Sequence, residues 1–450
     1  WTYTLNNAHA SVQALDVGQT REHAHQLLLR VGYWPEAFNL HPIRAGVALQ
    51  EPAIPVPKLP DEERLDLTHL DAWAIDDAGS NDPDDAISID GERLWVHIAD
   101  AGALAPPGSD LDVAACERGA NLYLPEAIVP MFPHGMTERL GLGLNDTSPA
   151  LSVGFEIDAE GRLQEIEIHL ATIRVTRMTY AEATASDDSR LQAITAMLAR
   201  FRDRRMQAGA AGIDLPEVSV RLDGDEILIK PLERGGSRQM VAEAMMAAGE
   251  AIAEFALRNG ILIPFANQPP PDETRTPETM SEMFAYRKLF KPSRMATQPE
   301  RHFGLGLDHY TRVTSPLRRY PDLVTHQQIR SYLKQEPLLD EETIVERVGE
   351  ASAASSLVRR AERFSNLHWK LVWLSRQKNW QGEAVIVDLE ERKATLLLPE
   401  LALESRVRRT PEMVLDQHLV VERTRVEIGD GGHGLGAHPH RARPGHVPAA

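Results

Sequence analysis

Apolar residues along the chain recur at two periods, one helical and one alternating, and the changes between them outline its organisation. After Thr20, a residue suited to cap a helix, Ala24, Leu27, Leu28 and Val31 recur at helical spacing and Gly32 can close the turn. Residues 1 to about 50 therefore predict a small helical unit. The run Glu51 to Pro60 holds prolines at 52, 55, 57 and 60, so it can be neither helix nor central strand and reads as a stiff linker. From 61 to about 235 the pattern is mostly strands joined by hairpin turns. Ile87–Ile89 and Leu94–Ile98 flank Asp90-Gly91, Val153–Ile157 and Leu163–Ile168 flank Asp158–Gly161, and Val218–Leu222 and Glu226–Ile229 flank Asp223-Gly224. A helix from about Ser189 to Gln207 interrupts them. Met240 to Arg258 is apolar nearly all round, with Ser237 as its expected cap and Asn259-Gly260 as its stop, so it belongs inside a domain. Ser315-Pro316 is expected to open a helix, and further helices are expected over about Tyr320–Lys334 and Asp340–Arg376. From Gln381 short strands return (Gly382–Leu389, Ala394–Leu398, Leu419–Ile428), with the rhythm of a small OB-type barrel. The Gly-, His- and Pro-rich stretch 430–450 has no core-forming residues and is expected to be disordered, its histidines solvated. No internal repeat is visible.

Composition narrows the class. The 450 residues are 42% hydrophobic and 25% charged, which is ordinary for a soluble globular chain of about three domains. A single cysteine, Cys116, cannot form an intrachain disulfide and fits a reducing cytoplasm. No apolar run approaches the roughly 20 residues of a membrane helix, and no secretory leader is visible. The first residue is Trp rather than Met, which leaves room for residues before it. A net charge of −18 argues against a protein that coats nucleic acid unspecifically, but not against a local basic groove. Residues 281–334 carry ten Lys/Arg against four Asp/Glu, a local +6 that is either a binding patch or a solvated face.

Two stretches carry candidate chemistry. Between the apolar ends Trp73–Ile75 and Ala86–Ile87 stand five carboxylates, Asp76, Asp77, Asp82, Asp84 and Asp85. Hydrophobic residues pin both ends of this loop, so the carboxylates crowd one another, and one would take a proton unless a cation sits among them. Oxygen ligands without His or Cys point to Mg²⁺ or Mn²⁺, with a calcium-type loop or a turn capped by Asp side chains as the plainer reading. The second stretch runs from Tyr310 to His326 and places Arg318 and Arg319 at the expected helix N-terminus, where guanidinium groups suit phosphate. Alone, this second stretch would read as a capped helix with two surface arginines.

Together they resemble the ribonuclease II/ribonuclease R family, the RNB-type exoribonucleases. The family's acidic signature, Asp followed by Asp six, eight and nine positions later, falls on Asp76, Asp82, Asp84 and Asp85. Its Tyr-Thr-x-x-Thr-Ser-Pro-Ile-Arg-Arg/Lys-Tyr signature falls on Tyr310 to Tyr320, with Leu317 in the Ile position. His97 to Asp100, Tyr123 to Pro133 and Val241 to Met245 resemble further family segments in the same order, over about 70–330. The resemblance implies an α+β multidomain protein: an RNB catalytic domain with closing helices over 61–378, preceded by the helical unit over 1–50, read as helix-turn-helix or winged-helix-like, and followed by an S1-type barrel over 379–429. It implies a 3′→5′ hydrolytic exoribonuclease that acts on single-stranded RNA, releases nucleoside 5′-monophosphates and works in the cytoplasm as a monomer away from membranes.

The resemblance also implies roles. Asp76 and Asp85 would ligate Mg²⁺ (or Mn²⁺) directly, while Asp82 and Asp84 would hold a second ion or orient water. Arg318 would sit on the scissile phosphate and Arg319 would position the backbone or make a structural pair. Tyr123 would stack on the 3′-terminal base, Tyr180 would recognise ribose, and Glu243 would contact the terminal nucleotide. Asp77 breaks the spacing and is expected at the surface or beside the site. Leu215 stands where many members carry an aromatic residue, so a two-sided aromatic clamp is not expected. Two other readings stay open: a catalytically inactive RNB-fold RNA-binding regulator, and a metal-dependent DNA nuclease.

Overall fold

The computed structural model describes residues 28, 31–35, 37–232, 235–422 and 439–440. Most of the expected N-terminal helix lies outside the described residues. The described chain begins with turns and the short helix α1 (His41–Ala45), then runs extended through the Pro-rich segment. That segment is not a free spacer. The Glu51 carboxylate accepts from the backbone N–H of His134, the Arg139 guanidinium donates to the carbonyl of Pro57, and Ile54 and Val56 pack on the core.

A seven-stranded sheet follows, built from β1 (Leu65–Asp66), β2 (Ala72–Asp76), β3 (Asp85–Asp90) and β4 (Arg93–Ala99) together with three later strands. Helix α2 (Asp110–Arg118), the short β5 (Leu122–Tyr123) and β6 (Ile128–Val129), and helix α3 (His134–Leu140) precede the long pair β7 (Ser148–Ile157) and β8 (Leu163–Ile173). β9 (Val175–Thr179) completes the order β1-β8-β7-β4-β3-β2-β9. β1–β8 and β2–β9 are parallel and the other pairs antiparallel. Asp90 pairs with Arg93, so the hairpin turn is Gly91-Glu92, one residue later than expected; Gly91, at φ 60°, supplies the left-handed position.

The period of two sorts side chains between the sheet's faces. Trp73, Ile75, Ile87, Val96 and Val153 join one core, and Ala72, Ala74, Ala86, Ala99 and Ala150 join the other. Helices α4 (Tyr180–Ala185), α5 (Ser189–Gln207) and, after the hairpin of β10 (Val218–Asp223) and β11 (Glu226–Pro231), α6 (Gly236–Asn259) cover the first face. α6 is buried through Ala244, Ala247, Ala248, Ala251 and Ala253, as its all-round apolar pattern predicts. Small residues let it sit close: a Cβ at Gly249 would lie 2.3 Å from the Tyr310 ring. Its cap differs from expectation. Gly235 holds that position, and the buried Ser237 hydroxyl instead donates to the carbonyl of Tyr180.

Beyond β12 (Phe265–Asn267), α7 (Met280–Arg287) and β13 (Arg294–Ala296), the chain reaches the second face through α8 (Tyr320–Leu333). Pro316 does not open this helix. Residues 316–318 form a turn, Arg319 is extended, and Pro321 provides the proline of the first helical turn. α9 (Glu341–Arg376) then runs for 36 residues, about 54 Å at the α-helical rise. It leads into β14 (Gln381–Leu389), β15 (Lys393–Leu398), β16 (Leu403–Arg408) and β17 (His418–Glu422), in the order β16-β15-β14-β17. β16 was not among the expected strands. Within the stretch expected to be disordered, β18 (Pro439–His440) pairs with Val420 and Val421; the rest of that stretch lies outside the described residues. Among the described residues no helix is long and apolar enough to cross a membrane.

Candidate active site

The acidic loop bridges two neighbouring strands: Asp76 is the last residue of β2 and Asp85 the first of β3. Their strand neighbours Ile75 and Ala86 are buried, which holds the two carboxylates at the same end of two adjacent strands inside the sheet. Asp84 is buried, at 2% exposure, Asp76, Asp82 and Asp85 are half-buried, and Asp77 is exposed. Burial raises the Asp84 carboxyl to about 8, with Arg318 opposing and Asp82 and Asp85 reinforcing. Asp85 is pushed up to about 6 and Asp76 in the same direction, again chiefly by burial, against the pull of Arg318.

The turn before α8 meets this loop. Leu317 N–H donates to Asp84 Oδ1 at 3.2 Å, and Arg318 Nε stands 2.7 Å from Asp84 Oδ2. That last contact is a close ion pair without hydrogen-bond alignment, so neither the buried Oδ2 nor Nε has a hydrogen-bond partner. Arg319 turns the other way. Its Nε and Nη2 lie 3.1 and 2.6 Å from Oδ2 of Asp322, a fully buried carboxylate that also accepts from Ser315 N–H. The structural pair expected of Arg319 is thus made with Asp322, through an extended backbone rather than by rotation about a helix.

Tyr123 reaches the loop from β5, donating its hydroxyl to Asp82 Oδ2 at 2.6 Å while its backbone N–H is held by Glu362 of α9. Burial, first, and then the charge of Asp82 raise its phenol, which stays protonated. Tyr180 starts α4 beneath the loop, with the Arg238 guanidinium 4.0 Å from its ring centre. Burial pushes its hydroxyl up to about 12. Arg238 also pairs with Asp77, which accounts for that fifth, off-spacing carboxylate.

Two residues singled out in the sequence lie in the core. Glu243 is 4% exposed and lies in a buried ion pair, its Oε1 and Oε2 each 2.6 Å from Arg205 Nη2 and Oε2 3.0 Å from Nε. An apolar helix places this carboxylate in the core, where a guanidinium satisfies it. Leu215 is buried against Phe284, Val385, Val387 and Leu397, between α7 and the C-terminal sheet.

Beside Arg318 and Tyr123 opens a cavity of about 1020 Å³, which Arg294, Arg312, Arg319 and Arg359 also line. The +6 segment is mostly neutralised by acids from elsewhere, including Arg287–Glu404, Lys288–Asp388, Lys291–Asp272 and Arg330–Asp100. Among the described residues no carboxylate pairs with Arg294 or Arg312, and both face this cavity. Arg359 lies far from that segment in sequence and gave no local signal.

The donor set suits a hard divalent cation. It is all carboxylate oxygen, three of its groups hold protons unusually tightly, and Asp84 Oδ2 is orphaned. As they stand, no three His, Cys, Asp or Glu side chains among the described residues are gathered as a metal site; Asp84 lies against Arg318 and Asp82 accepts from Tyr123.

Residues 64–285 and 276–335 match the RNB domain. The chain belongs to the RNB domain family. An uncharacterised ribonuclease of Synechocystis is 34% identical over 87% of the chain and 65% of its own length. With two further curated relatives, of Arabidopsis thaliana and Chlamydia muridarum, the chain covers 54% and 57% of their lengths, so it spans little more than half to two thirds of these proteins. Among solved structures, Mycoplasma genitalium RNase R in complex with ribose-methylated single-stranded RNA shares the fold at a TM-score of 0.73 and 18% identity, covering 83% of this chain and 72% of that one. Yeast Ssd1, a pseudonuclease, shares it at 0.65 and 18%, covering 82% and 53%. The RNB fold therefore occurs with and without catalysis, and only the site can argue for activity in a given member.

Proposed function

We propose that this chain is a 3′→5′ hydrolytic exoribonuclease, degrading single-stranded RNA to nucleoside 5′-monophosphates with Mg²⁺ or Mn²⁺. The observation that carries the reading is the 2.7 Å approach of Arg318 to Asp84, which brings a cation-demanding loop and a phosphate-binding guanidinium to one point. Asp76 and Asp85 would hold the cation, with Asp82 and Asp84 beside it. When bound, the cation supplies an activated water and neutralises phosphate charge. Arg318 binds the scissile phosphate and steadies the charge that develops on it. Tyr123 offers its ring to the terminal base, a contact indifferent to sequence because every base has a π-face. Tyr180, protonated at neutral pH, can donate to a ribose hydroxyl, the group that separates RNA from DNA. The arginine-lined cavity suits the phosphates of the remaining strand.

The competing reading, an inactive RNA-binding regulator, draws on the shared fold of Ssd1. Against it, all four signature aspartates and Arg318 are present. Digestion of 5′-labelled RNA and DNA oligonucleotides with Mg²⁺ separates the possibilities. A descending RNA ladder is expected from wild type, intact RNA from Asp84→Asn, and little change in DNA. Internal cuts, or undiminished cleavage by Asp84→Asn, would refute the assignment.

A further inference from the structure

Asn121 stands between the two halves of the site and belongs to neither signature. It is 4% exposed, and all three of its polar contacts lead to site residues or fix its own orientation. Its backbone N–H donates to the carbonyl of Arg318 at 3.0 Å, where residues 119–121 run against the turn before α8. Its side-chain Oδ1 accepts from Met131 N–H at 2.6 Å. A backbone N–H can only donate, so the amide's orientation is settled and Nδ2 is the group that faces Tyr123. Nδ2 lies 3.2 Å from the Tyr123 hydroxyl oxygen and donates to it. With that lone pair occupied by a donor, the phenol's single proton is directed to its other neighbour, Asp82 Oδ2, at 2.6 Å.

We propose that Asn121 is a positioning residue for the reaction, acting through Tyr123 to hold Asp82 in place while its backbone anchors Arg318. The relay has a fixed direction: Met131 N–H orients the amide, the amide orients the phenol, and the phenol occupies one oxygen of Asp82. Asp82 is thereby committed as an acceptor at Oδ2. The Tyr123 ring is held at the wall of the cavity by the same contact. The inference rests on the exoribonuclease reading for its kinetic consequence, but not for its effect on cation binding.

The test is a double-mutant cycle over Asn121→Leu and Tyr123→Phe, read out in two ways. Isothermal titration with Mn²⁺ and no RNA measures cation affinity, and Mg²⁺-dependent digestion of a labelled oligonucleotide gives kcat and KM separately. A hydrogen bond to a charged group corresponds to a change of about tenfold or more. Each single variant is expected to lower Mn²⁺ affinity and kcat by about tenfold, and the double variant by about tenfold rather than a hundredfold. Multiplicative effects in the double variant would overturn the relay, since Asn121 would then act independently of the phenol. So would a loss confined to thermal stability with Mn²⁺ affinity and kcat unchanged. If Asn121→Leu does not fold, Asn121→Ser, too short to span Met131 and Tyr123 together, carries the same cycle. Absence of nuclease activity in wild type would instead sink the functional reading and leave the Mn²⁺ arm of the test standing.

Discussion

Arg318 and Arg319 are adjacent, yet they serve different carboxylates: Arg318 lies against Asp84 at the site, and Arg319 against Asp322 in the core. The consequences of losing each should therefore separate. Asp84, with its carboxyl raised to about 8, can take a proton when its partner is removed, so Arg318→Ala should leave the fold intact while kcat falls by about 10³. Asp322 is fully buried and also accepts from Ser315 N–H. Arg319→Ala strands that acceptor and should cost about 2–3 kcal/mol, somewhat less than for a fully buried pair because Arg319 is a third exposed. Urea unfolding and single-turnover kinetics on both variants measure the contrast; equal losses of stability would contradict it.

The raised carboxyls also set a pH dependence. Asp84, Asp85 and Asp76 hold protons in the folded chain at pH values where an unfolded carboxyl has lost them. The native state then binds more protons than the unfolded state, and stability falls as pH rises from about 4 to about 8. In EDTA, the melting temperature should drop across that window. Mg²⁺ favours the ionised native site and should reverse the drop, by about 2.7 kcal/mol at a hundred times its dissociation constant. Asp84→Asn should flatten the EDTA profile. A profile unaffected by Mg²⁺ at pH 8 would count against a cation site in this loop.

Local signals made much of this architecture legible. The helices over Ser189–Gln207 and Glu341–Arg376 and the strand pairs around Asp158–Gly161 and Asp223-Gly224 follow from periodicity and turn residues that act within a few positions. Where two signals compete, the chain decides by tertiary contact. Pro316 and Pro321 are both plausible helix starts, and the second prevails because Asp322 reaches back to cap Ser315 N–H and holds Arg319 extended. Ser237 looks like a cap, but its hydroxyl is used by Tyr180. β16 alternates Leu403, Ser405 and Val407 inward with Glu404, Arg406 and Arg408 outward, a short pattern easily read as a charged loop. In the site, the aspartates and Arg318 stand out because their spacing is itself the signature. Asn121, Glu362 and Arg205 do not, since each matters only through a partner distant in the sequence or, for Asn121, through the direction of one proton.

Glu243 offers a test of that hidden layer. With Arg205 it forms an ion pair in the core, and the Arg205 guanidinium also donates to the carbonyl of Leu305. Arg205→Met should cost about 3–5 kcal/mol by removing the buried carboxylate's hydrogen-bonded partner, with only Arg202 left at 3.9 Å, whereas Arg205→Met with Glu243→Met should recover most of it. Chemical denaturation of the two variants checks this. If Glu243→Gln alone lost RNA affinity without loss of stability, its carboxylate would be a nucleotide contact after all.

The cavity makes a prediction about salt. Each arginine that neutralises a phosphate of a single strand contributes about 0.7 to the slope of log K against log salt. Arg294, Arg312 and Arg359 all line the cavity, and none is among the acid-paired cations of the site. In the Asp84→Asn background, where RNA should bind without being cut, Arg294→Ala, Arg312→Ala and Arg359→Ala should each lower that slope by about 0.7. They should weaken binding without altering any preference for sequence, because phosphate contacts carry no base information. Removing Arg287, which pairs with Glu404 on the C-terminal sheet, should leave the slope unchanged and serves as the control. Fluorescence anisotropy on one labelled oligonucleotide, titrated at several salt concentrations, measures all four variants. Slopes unchanged by the three cavity substitutions would mean that the strand takes another route to Arg318, while a fall caused by Arg287→Ala would place that route across the C-terminal sheet.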